Sequence, residues 1–276
     1  MSLSPIHSFK APPVTETVLG VQFKVLPKLT NSLLAVFWDS LGPGWENTED
    51  APPVELQFEK FSAEQEWAQL GSVNLKLSPV WKNRLKITNT KQDRMVQIQN
   101  GRFHYNWLKR DGDYPRYGTV RSEFDALFKS FTKFIETRSL GKIEPDQWEV
   151  TYVNQIPKGT VWNIPGDWAK LFRFARTESL SNDDLLPETF SARLGFEIKP
   201  KKGRLHAQIQ HGFIEQPGGK KELIRVELTA RGPVPAGGNF GDGLNLGRKT
   251  IVETFYRMTS KDAHALWGNN DATANH

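Results

Sequence analysis

The dipeptide Asn100-Gly101 constrains the fold of this chain more than any other short stretch of its sequence. It separates two alternating runs, RMVQIQ and RFHYNWL, and a type I′ turn here needs the positive φ angles that these two residues tolerate. The turn fixes the register of a predicted hairpin, with Ile98 opposite Phe103. Because side chains alternate along a strand, one side of the hairpin is apolar. The other side is mostly polar and carries Gln97, Gln99, Arg102, His104 and Asn106.

A helical stripe of apolar residues follows the hairpin. The segment 122–141 is predicted as a helix, with Ser122 and Asp125 as a capping box and Gly141 just past its end. Such a helix needs an apolar surface to cover, and the apolar side of the hairpin offers one. The sequence therefore predicts a sheet with helices on one side and an uncovered polar face on the other.

The order of predicted elements occurs twice. The first half reads strand (15–26), helix (31–41), strand (83–89), hairpin and helix, with an acidic Pro-rich loop at 42–53 and an extra strand at 54–61. The second half reads strand (147–157), helix (167–175), strands at 190–199, 203–215 and 221–232, and a helical segment (247–268). The motif VQIQNG at 96–101 also returns as AQIQHG at 207–212. A diverged internal duplication explains both observations, and chance similarity between strands of like composition is the alternative.

We therefore predict an α+β fold built from two β-α-β-β-β-α halves, residues 12–144 and 145–268, in one compact unit. Residues 269–276 are predicted to be a disordered tail. The element order resembles TBP-like and helix-grip folds, in which helices cover one face of a curved antiparallel sheet. That resemblance concerns the fold alone, because a fold does not determine a function.

Basic charge is concentrated in two regions of the chain. The net charge is +5, but residues 80–121 hold ten Lys and Arg against three Asp, and residues 199–231 are also basic. The absence of cysteine excludes disulfides, thiol nucleophiles and Cys-ligated zinc. No signal peptide and no apolar run of membrane-spanning length is recognisable, so the sequence predicts a cytoplasmic protein with no membrane association.

The two basic regions supply the candidate ligand-binding residues. Amides and arginines on a sheet face suit hydrogen bonding to phosphates, base edges or a peptide, and aromatic residues beside cations suit base stacking. The alternatives are an ordinary solvated sheet face, and a loop whose aromatic residues anchor it to the core. Beside the five polar hairpin residues, the candidates are Gln208, Gln210 and Arg225 in the second half, and Trp107, Arg110, Arg116 and Tyr117 in the loop 105–121.

Catalytic and cofactor motifs are not recognised. The segment GGNFGDGLNLGRKT (237–250) lacks the spacing of a phosphate-binding loop and is predicted to be a flexible connector. His206 and His211 lie on opposite sides of one strand, so no metal site and no cofactor is predicted. The enzymatic alternative is a Mg²⁺-dependent nuclease that uses Glu197 and Lys199, with a further acidic residue among Asp146, Asp183 and Asp184.

Three longer segments resemble a known family. PPVTETVLGVQF, QIQNGRFHYNW followed by YPRY, and FYRMTSKDAHALWG are similar to those of a sporadically distributed bacterial family of similar length, and the resemblance runs from Pro12 to Gly268. That family has no established activity or catalytic residue, so it assigns no role to any position here. Patchy distribution is often seen for mobile or defence-associated genes, which implies an accessory component of such a system. We expect a non-enzymatic binding protein whose partner is nucleic acid or an acidic protein.

Overall fold

The computed structural model describes residues 7–59, 61, 83–175, 185–216 and 218–269. Within them, nine antiparallel strands form one open sheet in the order β2-β3-β4-β5-β1-β6-β9-β8-β7. The strands are β1 (Val14–Phe23), β2 (Asn47–Ala51), β3 (Arg84–Thr88), β4 (Arg94–Gln99), β5 (Arg102–Leu108), β6 (Pro145–Pro157), β7 (Ser191–Ile198), β8 (Gly203–Gln216) and β9 (Gly219–Pro233). The helices are α1 (Asn31–Asp39), α2 (Arg116–Thr137), α3 (Trp168–Leu171, after a 3₁₀ turn at Pro165–Asp167), α4 (Phe240–Met258) and α5 (Lys261–Leu266).

The predicted hairpin has the predicted register. Ile98 pairs with Phe103, and Gly101 has a φ of 100° in the turn. The apolar side of the hairpin lies under α2, where the Phe103 ring is 5.4 Å from the rings of Phe128 and Phe131. Aromatic burial of this kind contributes strongly to a core. The prediction of an α+β fold with helices over the apolar side of an antiparallel sheet is confirmed.

Helix α2 begins at Arg116, earlier than predicted. Ser122 therefore lies inside the helix, and the predicted capping box is wrong. The reason is that Val120 is fully buried and extends the apolar stripe by one turn toward the N-terminus. Arg116 itself has a φ of 72°, a left-handed conformation that is uncommon for a residue with a Cβ atom.

The glycine-rich segment 237–250 is largely helical rather than a flexible connector. Helix α4 starts at Phe240, where the Asn239 side chain accepts a hydrogen bond from the Gly241 N–H at 2.8 Å. A Cβ atom on Gly243 would lie 2.1 Å from Trp148 Cδ1. The glycine is required because α4 packs directly onto the Trp148 ring of β6 at this point.

Segment 42–61 differs most from its prediction. The acidic part, predicted as a loop, forms β2 and pairs with basic β3, so that Lys86 Nζ lies 3.0 Å from Glu49 Oε1. Opposite charges facing each other across two strands offset the low strand propensity of Asn, Asp and Glu. The strand predicted at 54–61 is wrong for its described residues, because 54–59 run as extended chain outside any ladder. The helix predicted at 167–175 is shortened to α3.

The sheet order is the same outward from its two central strands. From β1 the order is β5, β4, β3, and from β6 it is β9, β8, β7, with β2 extending the first series only. The pairing register does not follow the repeated motif. Leu85 pairs with Ile98, whereas Phe196, which a gapless alignment sets against Leu85, pairs with Leu205. Of the predicted tail, residues 270–276 lie outside the described residues.

Candidate functional site

One side of the sheet, opposite the helices, carries a large set of polar strand residues. We call it the polar face. Strand pairing sets His104 beside Gln97 and Gly20, and sets Glu149 beside Gly20 and Arg231. The residues predicted to share this side do so: Gln97, Gln99, Arg102, His104 and Asn106 in the first half, and His206, Gln208, Gln210, Arg225, Glu227, Thr229 and Arg231 in the second.

A segment of the chain, residues 52–59, crosses the polar face, and we call it the strap. Gln99 Oε1 accepts a hydrogen bond from the Val54 N–H at 2.8 Å, and its Nε2 donates to the Val54 carbonyl at 2.7 Å. Gln22 holds Gln57 in the same reciprocal way, at 3.0 and 2.8 Å. A side-chain amide has the donor and acceptor that a backbone residue needs, so each glutamine replaces a strand partner.

A third glutamine continues the row. Gln147 Oε1 accepts from the Glu59 N–H at 3.0 Å, and its Nε2 donates to the Gln57 carbonyl. Gln22 and Gln147 are direct neighbours on β1 and β6. The strap therefore crosses the strands from β4 to β6, and its backbone is held by side-chain amides that project from the sheet.

The strap ends in a buried ion cluster. Glu59 Oε1 lies 2.6 Å from Arg231 Nε and 2.7 Å from His206 Nε2, and Oε2 lies 2.8 Å from Arg204 Nη1. The Glu59 side chain is only 6% exposed. Burial raises the pKa of Glu59, but the hydrogen bonds from His206, Arg231 and Arg204 outweigh it and lower that pKa to about 2. The carboxylate is therefore ionised at neutral pH, and the Arg204 guanidinium also lies over the Phe61 ring at 4.7 Å.

A second carboxylate lies beneath the strap. Glu149 Oε1 is 3.5 Å from His104 Nε2, and its Oε2 is 3.6 Å from Arg231 Nη1. Burial lowers the pKa of His104 to about 4 against the opposing effect of Glu149, so the imidazole is neutral at pH 7. Gly20 makes this arrangement possible, because a Cβ atom there would lie 2.4 Å from His104 Cδ2.

The prediction that the polar face is uncovered is wrong for its first half, where the strap bonds Gln99. The five predicted residues there are all at most 9% exposed. They bond inside the protein: Gln97 donates to Asn106 at 2.9 Å, and Asn106 donates to Glu16 at 2.6 Å. Arg102 Nη2 donates to Gln22 at 3.1 Å. These polar groups are therefore bonded inside the protein and are not accessible to a ligand.

The second half of the polar face is open. A cleft of about 540 Å³ lies beside the strap and is lined by Gln57, Arg193, Gln208 and Glu227 among others. Gln210 is exposed, and Arg225 Nη2 lies 2.6 Å from Glu227 Oε2. The cleft therefore continues the surface that holds the strap.

The aromatic residues of the basic loop pack against the protein, whereas Arg110 and Arg116 are exposed. Trp107 is 4% exposed, and Tyr117 donates to Asn245 at 2.9 Å. Arg110 donates to the Gln92 carbonyl at 3.0 Å, and Arg116 donates to the Phe9 carbonyl at 2.9 Å. The packing of the aromatic residues agrees with the alternative that they anchor the loop, and it leaves Trp107 no exposed face on which a base can stack.

The residues proposed for a nuclease do not converge in the described part of the chain. Glu197 Oε1 accepts a hydrogen bond from the Lys201 N–H at 3.0 Å, and Lys199 follows the end of β7. Asp183 and Asp184 lie outside the described residues. Among the described residues, no three His, Cys, Asp or Glu side chains are close enough together to hold a metal ion.

Sequence reasoning missed the residues that organise this site: Gln22, Gln147, Glu149, Gly20 and Glu59. Gln22 was the detectable one, because a glutamine in the apolar run VLGVQF needs a buried partner. The sequence pattern does not single out Glu59, because residues 54–61 alternate like a strand and are predicted to form one.

The described helices include none that is long and apolar enough to cross a membrane. Comparison of the chain with protein-family models, with curated proteins and with solved structures yields no match in any of the three. The polar face and its strap are thus the candidate functional site in the described part of the chain.

Proposed function

We propose that the protein is a non-enzymatic binding protein whose polar face holds an extended, acidic polypeptide segment of a partner protein. The observation that carries this proposal is the strap, which occupies the face as such a segment would. In the free protein the strap is an intramolecular occupant, and the partner segment competes with it.

The glutamine contacts support recognition of an extended backbone. Gln99 and Gln22 each bond both the N–H and the carbonyl of one strap residue. Backbone bonding of this kind provides affinity for any extended chain, as in strand addition to a sheet edge. It does not depend on the identity of the side chains that point away from the sheet.

The ion cluster supports selection of an acidic residue. If Glu59 leaves, Arg204 and Arg231 lose the carboxylate that both contact. Among the described residues, Arg204 then has no carboxylate and Arg231 keeps only Glu149, at 3.6 Å, so a carboxylate from a partner is expected at the same place. Specificity then comes from this cluster and affinity from the glutamines.

The open half of the polar face supports a longer bound segment. Neither the Gln208 nor the Gln210 side chain is hydrogen-bonded in the part of the chain that the structure describes, and Arg193 beside them is exposed. A segment that replaces the strap would continue over these amides. Nucleic acid is the alternative ligand, and the burial of Trp107, which removes a stacking surface, makes it the less favoured one.

We also infer that residues 12–144 and 145–268 arose by duplication, in a fold that resembles the TBP-like and helix-grip folds in its element order. The identical outward strand order supports this, although the register around the repeated motif has drifted. The inference makes Gln208 and Gln210 the counterparts of Gln97 and Gln99. Of these two counterparts, Gln208 lines the open cleft.

A peptide in trans tests the proposal. A labelled peptide of residues 50–61 (DAPPVELQFEKF) is titrated by fluorescence anisotropy into the wild-type protein and into the Glu59→Ala variant. The variant's own strap lacks its carboxylate anchor, so the peptide is expected to bind it at least about tenfold more tightly than the wild type. A peptide with Ala in place of Glu59 should lose most of that affinity.

Two controls make the result specific. Glu55→Ala removes an equally charged but exposed strap residue and should leave peptide binding at the wild-type level. Labelled single-stranded DNA and RNA are titrated in parallel over a salt series. Equal peptide affinity for all three proteins would refute the proposal. Binding of nucleic acid whose log K falls linearly with the logarithm of the salt concentration would favour the alternative.

A further inference from the structure

A second cavity lies on the opposite side of the sheet from the polar face and does not belong to the strap site. Its volume is about 120 Å³, and it lies between the N-terminal residues and the two long helices, α2 and α4. Its lining combines polar and apolar side chains. The polar residues are His7, Ser8, Tyr114, Arg116, Tyr117, Tyr152, Asn154 and Arg248, and the apolar residues include Val14, Ile251, Val252 and Phe255.

Arg248 is a cation in the lining of this cavity whose hydrogen-bonding groups are not all paired. Its Nε is buried without a hydrogen-bond partner, and among the described residues no carboxylate lies within ion-pair distance of its guanidinium. The guanidinium lies over the Tyr117 ring, 5.1 Å from its centroid. A buried guanidinium N–H without an acceptor costs free energy that a ligand oxygen would recover.

The tyrosine hydroxyls add donors on the same wall. Tyr114 and Tyr152 share a hydrogen bond of 3.0 Å between their hydroxyl oxygens. One proton lies between the two oxygens, and the pair keeps a second proton that can be donated to a ligand. Burial raises the pKa of both side chains, so both stay protonated at neutral pH.

The donors that line the cavity favour a ligand with one anionic group bound by Arg248. Arg116 is the other cation that lines the cavity, but its guanidinium already donates to the Phe9 and Lys10 carbonyls. Hydrogen bonds to neutral carbonyls leave the charge of Arg116 in place, but they direct its N–H groups toward the N-terminal backbone, so Arg248 is the guanidinium expected to bind the anionic group of a ligand. The planar arginine fork also matches the two oxygens of a carboxylate.

The apolar lining and the volume of the cavity limit the size and polarity of the rest of the ligand. Val14 and Ile251 are at most 3% exposed and line the cavity. An apolar cavity of about 150 Å³ holds benzene. A cavity of about 120 Å³ therefore accommodates a somewhat smaller apolar group. We propose that this cavity binds a small organic monocarboxylate, with its carboxylate on Arg248 and its short apolar chain against Val14 and Ile251.

Butyrate is the probe for this site, followed by amide chemical shifts in two-dimensional NMR of the full-length protein. Saturable binding is expected, with the shifted signals confined to the residues around the cavity. Arg248→Met, which keeps the length but removes the charge, should weaken butyrate binding at least about tenfold, the loss expected for one charge-assisted hydrogen-bond partner. Arg257→Met, on the exposed last turn of the same helix, is the matched control and should bind as the wild type does.

Further ligands and variants define the class. Butylammonium, with the same chain and the opposite charge, should not bind. If Arg248→Met does not fold, Arg248→Lys keeps the charge and should retain part of the affinity, and Tyr152→Phe should weaken butyrate binding several-fold. Three results would overturn the proposal: no saturable binding at about 50 mM butyrate, equal affinity of wild type and the Arg248 variant that folds, or tighter binding of inorganic phosphate than of butyrate.

Discussion

Arg231 Nε lies 2.6 Å from Glu59 Oε1 and joins the strap to the central part of the sheet. Through Nη1 the same guanidinium also lies 3.6 Å from Glu149 Oε2 beneath the strap. One arginine thus serves both the carboxylate that anchors the strap and the carboxylate that belongs to the sheet. The strap and the buried polar network are therefore energetically coupled, and changes in either are expected to affect both.

Removal of the strap anchor should destabilise the protein. Glu59→Ala leaves Arg204 and Arg231 without their shared carboxylate, and we expect a loss of about 3 kcal/mol in the free energy of unfolding. This is at the low end for a buried pair because the His206 side chain is 41% exposed. Urea denaturation measures the difference. Glu55→Ala should change stability by less than about 0.5 kcal/mol, and an equal loss in both variants would contradict the assigned role of Glu59.

Acidification should destabilise the protein through His104. Its pKa is depressed to about 4 in the folded protein, from 6.5 in the unfolded chain, so the unfolded state binds more protons between these values. Stability is full above pH 6.5 and falls as the pH decreases toward 4, by about 3 kcal/mol in total from this group. Urea unfolding at several pH values should show a shallower dependence in His104→Gln than in the wild type. Parallel pH dependences would show that the depressed pKa is wrong.

Gly20→Ala should disturb the pair of His104 and Glu149. The added Cβ atom would lie 2.4 Å from His104 Cδ2, so the ring has to move, and a cost of about 1–3 kcal/mol is expected. Gly195→Ala is a matched control on the same face, since nothing lies within 4 Å of the Cβ atom that it would add. Thermal unfolding compares the two variants, and the NMR signals of the His104 ring should shift in the Gly20 variant alone.

Gly243→Ala should loosen α4 from the sheet. Its Cβ atom would lie 2.1 Å from Trp148 Cδ1, and overpacking of this kind costs about 1–3 kcal/mol. Gly118→Ala, at an exposed position of α2, has open space around the new atom and should instead stabilise the protein by up to about 1 kcal/mol. Opposite signs of the two changes in urea denaturation are the expected result. A stabilised Gly243 variant would mean that α4 does not contact Trp148 as described.

Local patterns in the sequence were sufficient for much of the sheet. The Asn100-Gly101 turn and the alternation around it predicted the hairpin register and the polar side chains on its outer face. The stripe containing Phe124 and Phe131 predicted the helix that covers the inner face. These features depend on neighbours within a few residues, where turn geometry and periodicity act directly.

The sequence by itself therefore determined the α+β class, the antiparallel hairpin and the division of the sheet into an apolar and a polar face. Only the tertiary structure decided what covers the polar face. Segment 54–61 alternates like a strand, but Gln22, Gln99 and Gln147 bond its backbone from three different strands and hold it across the sheet. Glu59 likewise meets Arg204, His206 and Arg231 only after the chain has folded. Contacts between residues so far apart in sequence leave no periodic pattern along the chain. They form because charges and amides that lose water in the folded protein need partners there.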